Sequence, residues 1–127
     1  MNTILVVDDE PAIRALVRAT LESSGYRLLE APDGVSALSI AQRERPDLVL
    51  LDIALPRVNG LDVCRRLKAD PATAHAQVLF LTGLPHHPDQ RASQEAGAVD
   101  TITKPFSPAA LVARVGQALR RPALAPR

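Results

Sequence analysis

The sequence predicts a doubly wound α/β domain, and three observations carry that expectation. Short runs of consecutive apolar residues alternate with segments of helical period. Five such strand–helix units follow one another with short connections, which implies a parallel sheet with right-handed crossovers and helices on both faces. Polar residues suited to chemistry stand directly behind the apolar runs, where a sheet of this kind binds ligands.

The elements follow in order. "TILVV" (3–7), "LVLL" (48–51) and "VLFL" (78–81) are apolar on consecutive residues, as strands covered on both faces should be. "YRLLE" (26–30) and "VDTIT" (99–103) are more polar and read as outer strands. The first helix sets Ile13, Leu16, Val17, Thr20 and Leu21 on one face and stops at Gly25. Val35, Leu38 and Ala41 mark the second, with Asp33 as N-cap or turn before Gly34 and closure before Pro46. Leu61, Cys64 and Leu67 mark the third. A weakly patterned fourth covers about 88–96 and ends at Gly97. The fifth follows Ser107-Pro108 and carries Leu111, Val112, Val115, Ala118 and Leu119. The expected domain is 1–120, with 121–127 as a C-terminal tail or linker stump.

Composition narrows the function. A chain of 127 residues is one domain by length and can bury a full core. Its net charge of +1 gives no electrostatic case for direct nucleic-acid binding or for an anionic membrane surface. Tyr26, Phe80 and Phe106 are the only aromatics, too few for a base-stacking platform. Cys64 is the sole cysteine, so an intrachain disulfide is excluded and the cytoplasm is favoured. No secretory signal pattern appears, and no apolar run approaches the roughly 18 residues of a membrane span.

The stretch "ILVVDDEP" (4–11) ends a buried strand on three acids, with no cation until Arg14. Acids at a helix start can cap it, and Pro11 suits an early helical position. The other strand ends decide the matter. Asp52 follows the third strand, Thr82 the fourth and Lys104 the fifth. If the first and third strands are neighbours, Asp8, Asp9 and Asp52 converge at the crevice where strand order reverses. Packed carboxylates raise one another's pKa unless a cation intervenes. An all-oxygen set suits Mg²⁺, with Mn²⁺ the alternative, whereas zinc would want His or Cys. Lys104 adds an ammonium suited to phosphate oxygens and Thr82 a hydroxyl donor. Together they describe a phosphoryl-accepting pocket with Asp52 as nucleophile.

The remaining polar residues take ordinary readings. Glu10 is a first-turn helix acid without direct metal contact. His75, His86 and His87 are too scattered to ligate a metal, Cys64 faces the core, and Arg65 and Arg66 belong to a solvated face. An aspartyl phosphohydrolase would want a general acid where Ala54 stands. A flavin or dinucleotide protein would want a glycine-rich first turn, which is absent. An unphosphorylated interaction module that keeps only the fold would have no need of Asp9, Asp52, Thr82 and Lys104 all intact.

The ordered set "VVDDE", "LVLLDIALPRVNG", "FLTG" and "AVDTITKPF" resembles the receiver domain of bacterial two-component response regulators, over nearly the whole chain. The resemblance implies a flavodoxin-like (βα)5 fold with strand order 2-1-3-4-5. It implies phosphoryl transfer to Asp52 from a sensor histidine kinase or a histidine phosphotransfer protein. It implies Mg²⁺ held directly by Asp9, Asp52 and the backbone carbonyl of Ala54, with Asp8 acting through water. Thr82 and Lys104 are matched to phosphate oxygens, Pro56 and Gly60 to the turn after the acceptor, and Pro105 to a bond often cis. The output partner would be a downstream protein or a fused domain, and a phosphorylation-dependent dimer is one form it can take. The sequence departs from the family pattern at three places. Thr101 stands where a switch Tyr or Phe is usual, Gly83 where Ala or Ser is commoner, and Leu55 where Met is frequent. Ala54 and Leu84, which flank the approach of an attacking water in receivers, offer it no hydrogen bond. That predicts a long-lived phosphorylated state.

Overall fold

A computed structural model of the chain describes residues 1–83 and 90–120. The strands are β1 (Thr3–Val7), β2 (Arg27–Ala31), β3 (Leu48–Asp52), β4 (Gln77–Thr82) and β5 (Asp100–Thr103). Between and after them come α1 (Pro11–Leu21), α2 (Gly34–Glu44), α3 (Gly60–Ala69), α4 (Gln90–Glu95) and α5 (Pro108–Arg120). The sheet has five strands in the order β2-β1-β3-β4-β5, every pairing parallel. The flavodoxin-like expectation holds, including the polar outer strands β2 and β5 at the edges.

Alternation along the central strands divides the core in two. Leu5, Val7, Val49, Leu51, Val78 and Phe80 face Ala37, Ala41, Val63, Cys64 and Leu67 of α2 and α3. Ile4, Val6, Leu48, Leu50, Leu79 and Leu81 face Val17, Leu21, Leu111, Val115 and Ala118 of α1 and α5. Each fully buried Leu or Val contributes about 1.5–3 kcal/mol by leaving water, so the continuous apolar runs supply most of the driving force. Cys64 sits in the first of these cores, as its place on α3 predicts, with its thiol donating to the Ala96 carbonyl at 3.1 Å.

The helix faces need one correction. Leu16, Val35 and Val112, expected on buried stripes, are 43%, 61% and 40% exposed. A helix lying on a sheet buries a narrow stripe, and one residue of offset turns a side chain by about 100°. Val17 and Leu111 take the buried positions beside Leu16 and Val112. At α2 the first-turn contact is made by Gly34, packed close to Val63 and Val58, and Val35 turns outward.

Helix ends match the local chemistry. Pro11 opens α1. The Asp33 carboxylate accepts from the Ser36 N–H at 2.8 Å, Asn59 from Asp62 at 3.0 Å, and the Ser107 hydroxyl from Ala110 at 3.0 Å. α1 runs through a 3-10 turn at Glu22–Ser24 into Gly25, which takes the left-handed φ of 81° that glycine tolerates. Among the described residues, no helix is long and apolar enough to cross a membrane. His86, His87, Leu84, the expected start of the fourth helix near 88 and the tail 121–127 lie outside the described residues.

Candidate functional site

The chain leaves β1 for β2 on one side and reaches β3 on the other, so the crevice between the ends of β1 and β3 is the switch point. Asp52 is the last residue of β3, Thr82 of β4, and Asp8 the residue after β1. All three are buried, Asp8 completely. The backbone N–H of Lys104 donates to the Thr82 carbonyl at 2.6 Å, which fixes the lysine beside the other strand ends. The Lys104–Pro105 bond is cis, as the resemblance implies.

The side chains then meet. Lys104 Nζ donates to Asp8 Oδ2 at 2.7 Å and stands 3.6 Å from Asp52 Oδ2. Asp52 Oδ1 accepts from the Ala54 N–H at 3.1 Å. Asp8 Oδ1 accepts from the Glu10 N–H at 2.9 Å, a local turn that aims the next two acids outward. Asp9 and Glu10 are exposed, and oxygens of the Asp8, Asp9 and Glu10 carboxylates lie within 4.8 Å of one another. A cleft of about 260 Å³ opens between them, lined by Asp9, Glu10, Asp52, Ala54, Gly83 and Lys104.

Burial pushes the Asp52 carboxyl above its ordinary pKa, and the charges of Asp8 and Asp9 push the same way, against the Lys104 ammonium and the Ala54 N–H. Burial alone would lower Lys104. Its hydrogen bond to Asp8 and the charge of Asp52 outweigh that, and its pKa is raised. The pocket is thus a dense set of opposed charges that a cation or an anion entering the cleft would rearrange.

The donor set fits a hard divalent cation. The cleft lining offers carboxylates and backbone carbonyls, with no imidazole or thiol among its residues. The compact carboxylate group is Asp8, Asp9 and Glu10, so Glu10 stands closer to the acidic cluster than its reading as a helix acid implied. Glu10 does occupy the N-cap of α1, though without a side-chain capping bond; its carbonyl accepts from Ile13 and Arg14.

The turn after the acceptor is tightly built. The Gly60 N–H donates to the Ile53 carbonyl at 2.8 Å, and a Cβ on Gly60 would lie 2.3 Å from the Asp52 carbonyl oxygen. Only glycine lets α3 begin that close to β3. Pro56 accepts from the Val58 N–H at 2.8 Å, Leu55 is buried, and Arg57 takes a left-handed φ of 70°. Thr101 is half-buried on β5, paired in register with Phe80, and borders a cavity of about 130 Å³ with Ser93, Gln94, Ala98, Val99 and Asp100.

A parallel sheet in this order, with acids, hydroxyl and ammonium at its carboxyl edge, defines a CheY-like receiver of two-component signalling. The family model described as "Response regulator receiver domain" matches residues 4–116, and the chain belongs to that family. It is 44% identical over 121 residues to the DNA-binding dual master transcriptional regulator RpaA of Synechocystis sp., covering 95% of this chain and 50% of RpaA. The chain spans about half the length of the first curated relatives it matches. A crystal structure of a putative response regulator from Chloroflexus aurantiacus superposes with a TM-score of 0.89 at 34% identity, covering 94% of this chain and 98% of that one. The receiver domain of sensor histidine kinase PA1611 from Pseudomonas aeruginosa, with magnesium ion coordinated in its active site cleft, gives a TM-score of 0.86 at 30% identity, covering 94% and 98%.

Proposed function

We propose that this chain is a phosphorylatable receiver in which Asp52 accepts a phosphoryl group from the phosphohistidine of a histidine kinase or phosphotransfer protein. The observation that carries the reading is the Asp52 carboxylate, buried at the end of β3, facing the cleft, with the Lys104 ammonium 3.6 Å away. In the transfer an Asp52 carboxylate oxygen bonds to phosphorus, the phosphorus–nitrogen bond breaks, and its electron pair returns to the donor imidazole. The Ala54 N–H holds the Asp52 carboxylate in one orientation toward the cleft.

Asp9, Asp52 and the Ala54 carbonyl would hold Mg²⁺, with Asp8 behind them. The metal supplies positive charge against the phosphoryl oxygens. Lys104 exchanges part of its interaction with Asp8 for the new phosphoryl oxygens, and the Thr82 hydroxyl donates to another. Lys104 and Thr82 anchor β5 and β4, so their movement reaches the α4–β5–α5 surface, where a downstream protein, a fused output domain or a second copy would dock. Thr101 is too small to fill vacated space as an aromatic ring does, so the change there is modest.

The test uses beryllofluoride, which mimics a phosphoryl group on aspartate. Fluorine NMR should show one bound species that requires Mg²⁺, disappears in Asp52→Ala and weakens sharply in Asp9→Ala. Amide exchange should slow at the ends of β3 and β4 and change modestly across β5 and α5. Binding that persists in Asp52→Ala contradicts the assignment.

A further inference from the structure

Arg14, the first cation after the acidic run, lies on α1 with its side chain 17% exposed. Its Nη1 donates to the backbone carbonyl of Asp8 at 2.6 Å, and its Nε donates to Glu30 Oε1 at 3.1 Å. Glu30 stands on β2 opposite Val6, and its second oxygen accepts from Arg18 Nε at 2.8 Å. The guanidinium therefore ties the peptide leaving Asp8 to the neighbouring strand. An exposed ion pair contributes little, but a planar, mostly buried fork that grips a carbonyl and a carboxylate fixes geometry.

We infer that Arg14, held by Glu30, is a positioning residue for the divalent-cation site. The inference rests on the reading of Asp9 as a metal ligand. Asp8 has its own restraints: its N–H donates to the Ala31 carbonyl at 3.2 Å, and its carboxylate is held by Glu10 and Lys104. Asp9 is exposed and, among the described residues, has no side-chain hydrogen bond. Its backbone therefore fixes only the position and Cα–Cβ direction from which the carboxylate reaches a cation, and the peptide plane joining Asp8 to Asp9 is the one that Arg14 grips. Arg18 touches the same Glu30 but reaches the Leu28 carbonyl instead of Asp8, which makes it the natural control.

Electrostatics and positioning predict opposite signs here. Removing a positive charge near three carboxylates should tighten cation binding by Coulomb's law. Loss of the clamp should loosen it, because partners that orient ligands typically change metal affinity by about 10–100-fold. The experiment is calorimetric titration of the full chain with Mg²⁺ alone, at fixed pH and ionic strength, alongside thermal unfolding without metal. Arg14→Ala should bind Mg²⁺ about 10-fold more weakly, Arg14→Lys should recover part of the loss, and Arg18→Ala should change affinity by less than about twofold. Should Arg14→Ala fail to fold, Arg14→Met keeps the aliphatic stem while removing the guanidinium, and should weaken Mg²⁺ about threefold or more. Equal or tighter binding in the variant that folds overturns the clamp while leaving the metal site standing. A wild-type chain that binds no Mg²⁺ overturns the metal site and the clamp together.

Discussion

Glu30 shows how one residue's environment sets a pH dependence. The Arg18 hydrogen bond, with Arg14 adding to it, holds the Glu30 carboxyl below its ordinary 4.5 despite partial burial. A folded pKa that is depressed contributes stability above the unfolded value, and that stability is lost as pH falls through the folded one. Wild-type protein should therefore be more stable than Glu30→Gln at about pH 7, with the difference closing below about pH 4.5. Thermal unfolding of both across that range checks it; a gap independent of pH would mean packing alone distinguishes them. The residues of the site divide by legibility on similar grounds. Asp8, Asp9, Asp52, Thr82 and Lys104 could be read because each falls at or just beyond the end of an apolar run, and a parallel sheet brings such ends to one edge. Arg14 and Glu30 could not, since their contact joins residues 16 apart with no shared period or motif. The approach of Glu10 to the Asp8 and Asp9 carboxylates follows from the Asp8–Glu10 turn, a backbone detail the acidic run alone does not specify.

Among the elements, α3 is the most constrained by the site. Its N-cap Asn59 holds the Asp62 N–H, and Gly60 lets its first turn press on the Asp52 carbonyl. Alanine is the better helix former by about 1 kcal/mol, so propensity alone favours Gly60→Ala. The methyl group would lie 2.3 Å from a backbone oxygen, where no side chain can move aside. Gly60→Ala should therefore lose about 2 kcal/mol or more in denaturant unfolding, and unchanged stability would refute the close approach. The helix stripes were the least legible elements. Apolar periodicity includes Leu16, Val35 and Val112, yet burial is decided by the rotation of each helix on the sheet. The strands carry no such ambiguity at the centre, because both faces are covered and every position of β3 and β4 is buried.

At the scale of the whole molecule, opposed charges meet in one cleft at the carboxyl edge of the sheet. Lys104 is shared between Asp8 and Asp52, and the acids of the β1–α1 turn face the same cleft. A dianion on Asp52 would draw Lys104 and Thr82 toward it, and both are continuous with strands that carry the α4 and α5 side of the sheet. The parallel sheet was legible from the alternation of five apolar runs with helices, whereas its strand order came from the resemblance to receiver domains, since alternation alone does not say which strands are neighbours. The measurement that bears most directly on the central claim is intact mass after incubation with a small phosphodonor and Mg²⁺. One phosphoryl adduct should form on the wild-type chain and map to the peptide containing Asp52, with none after chelation or in Asp52→Ala. An adduct of equal yield in Asp52→Ala, or one that maps to another residue, would contradict it.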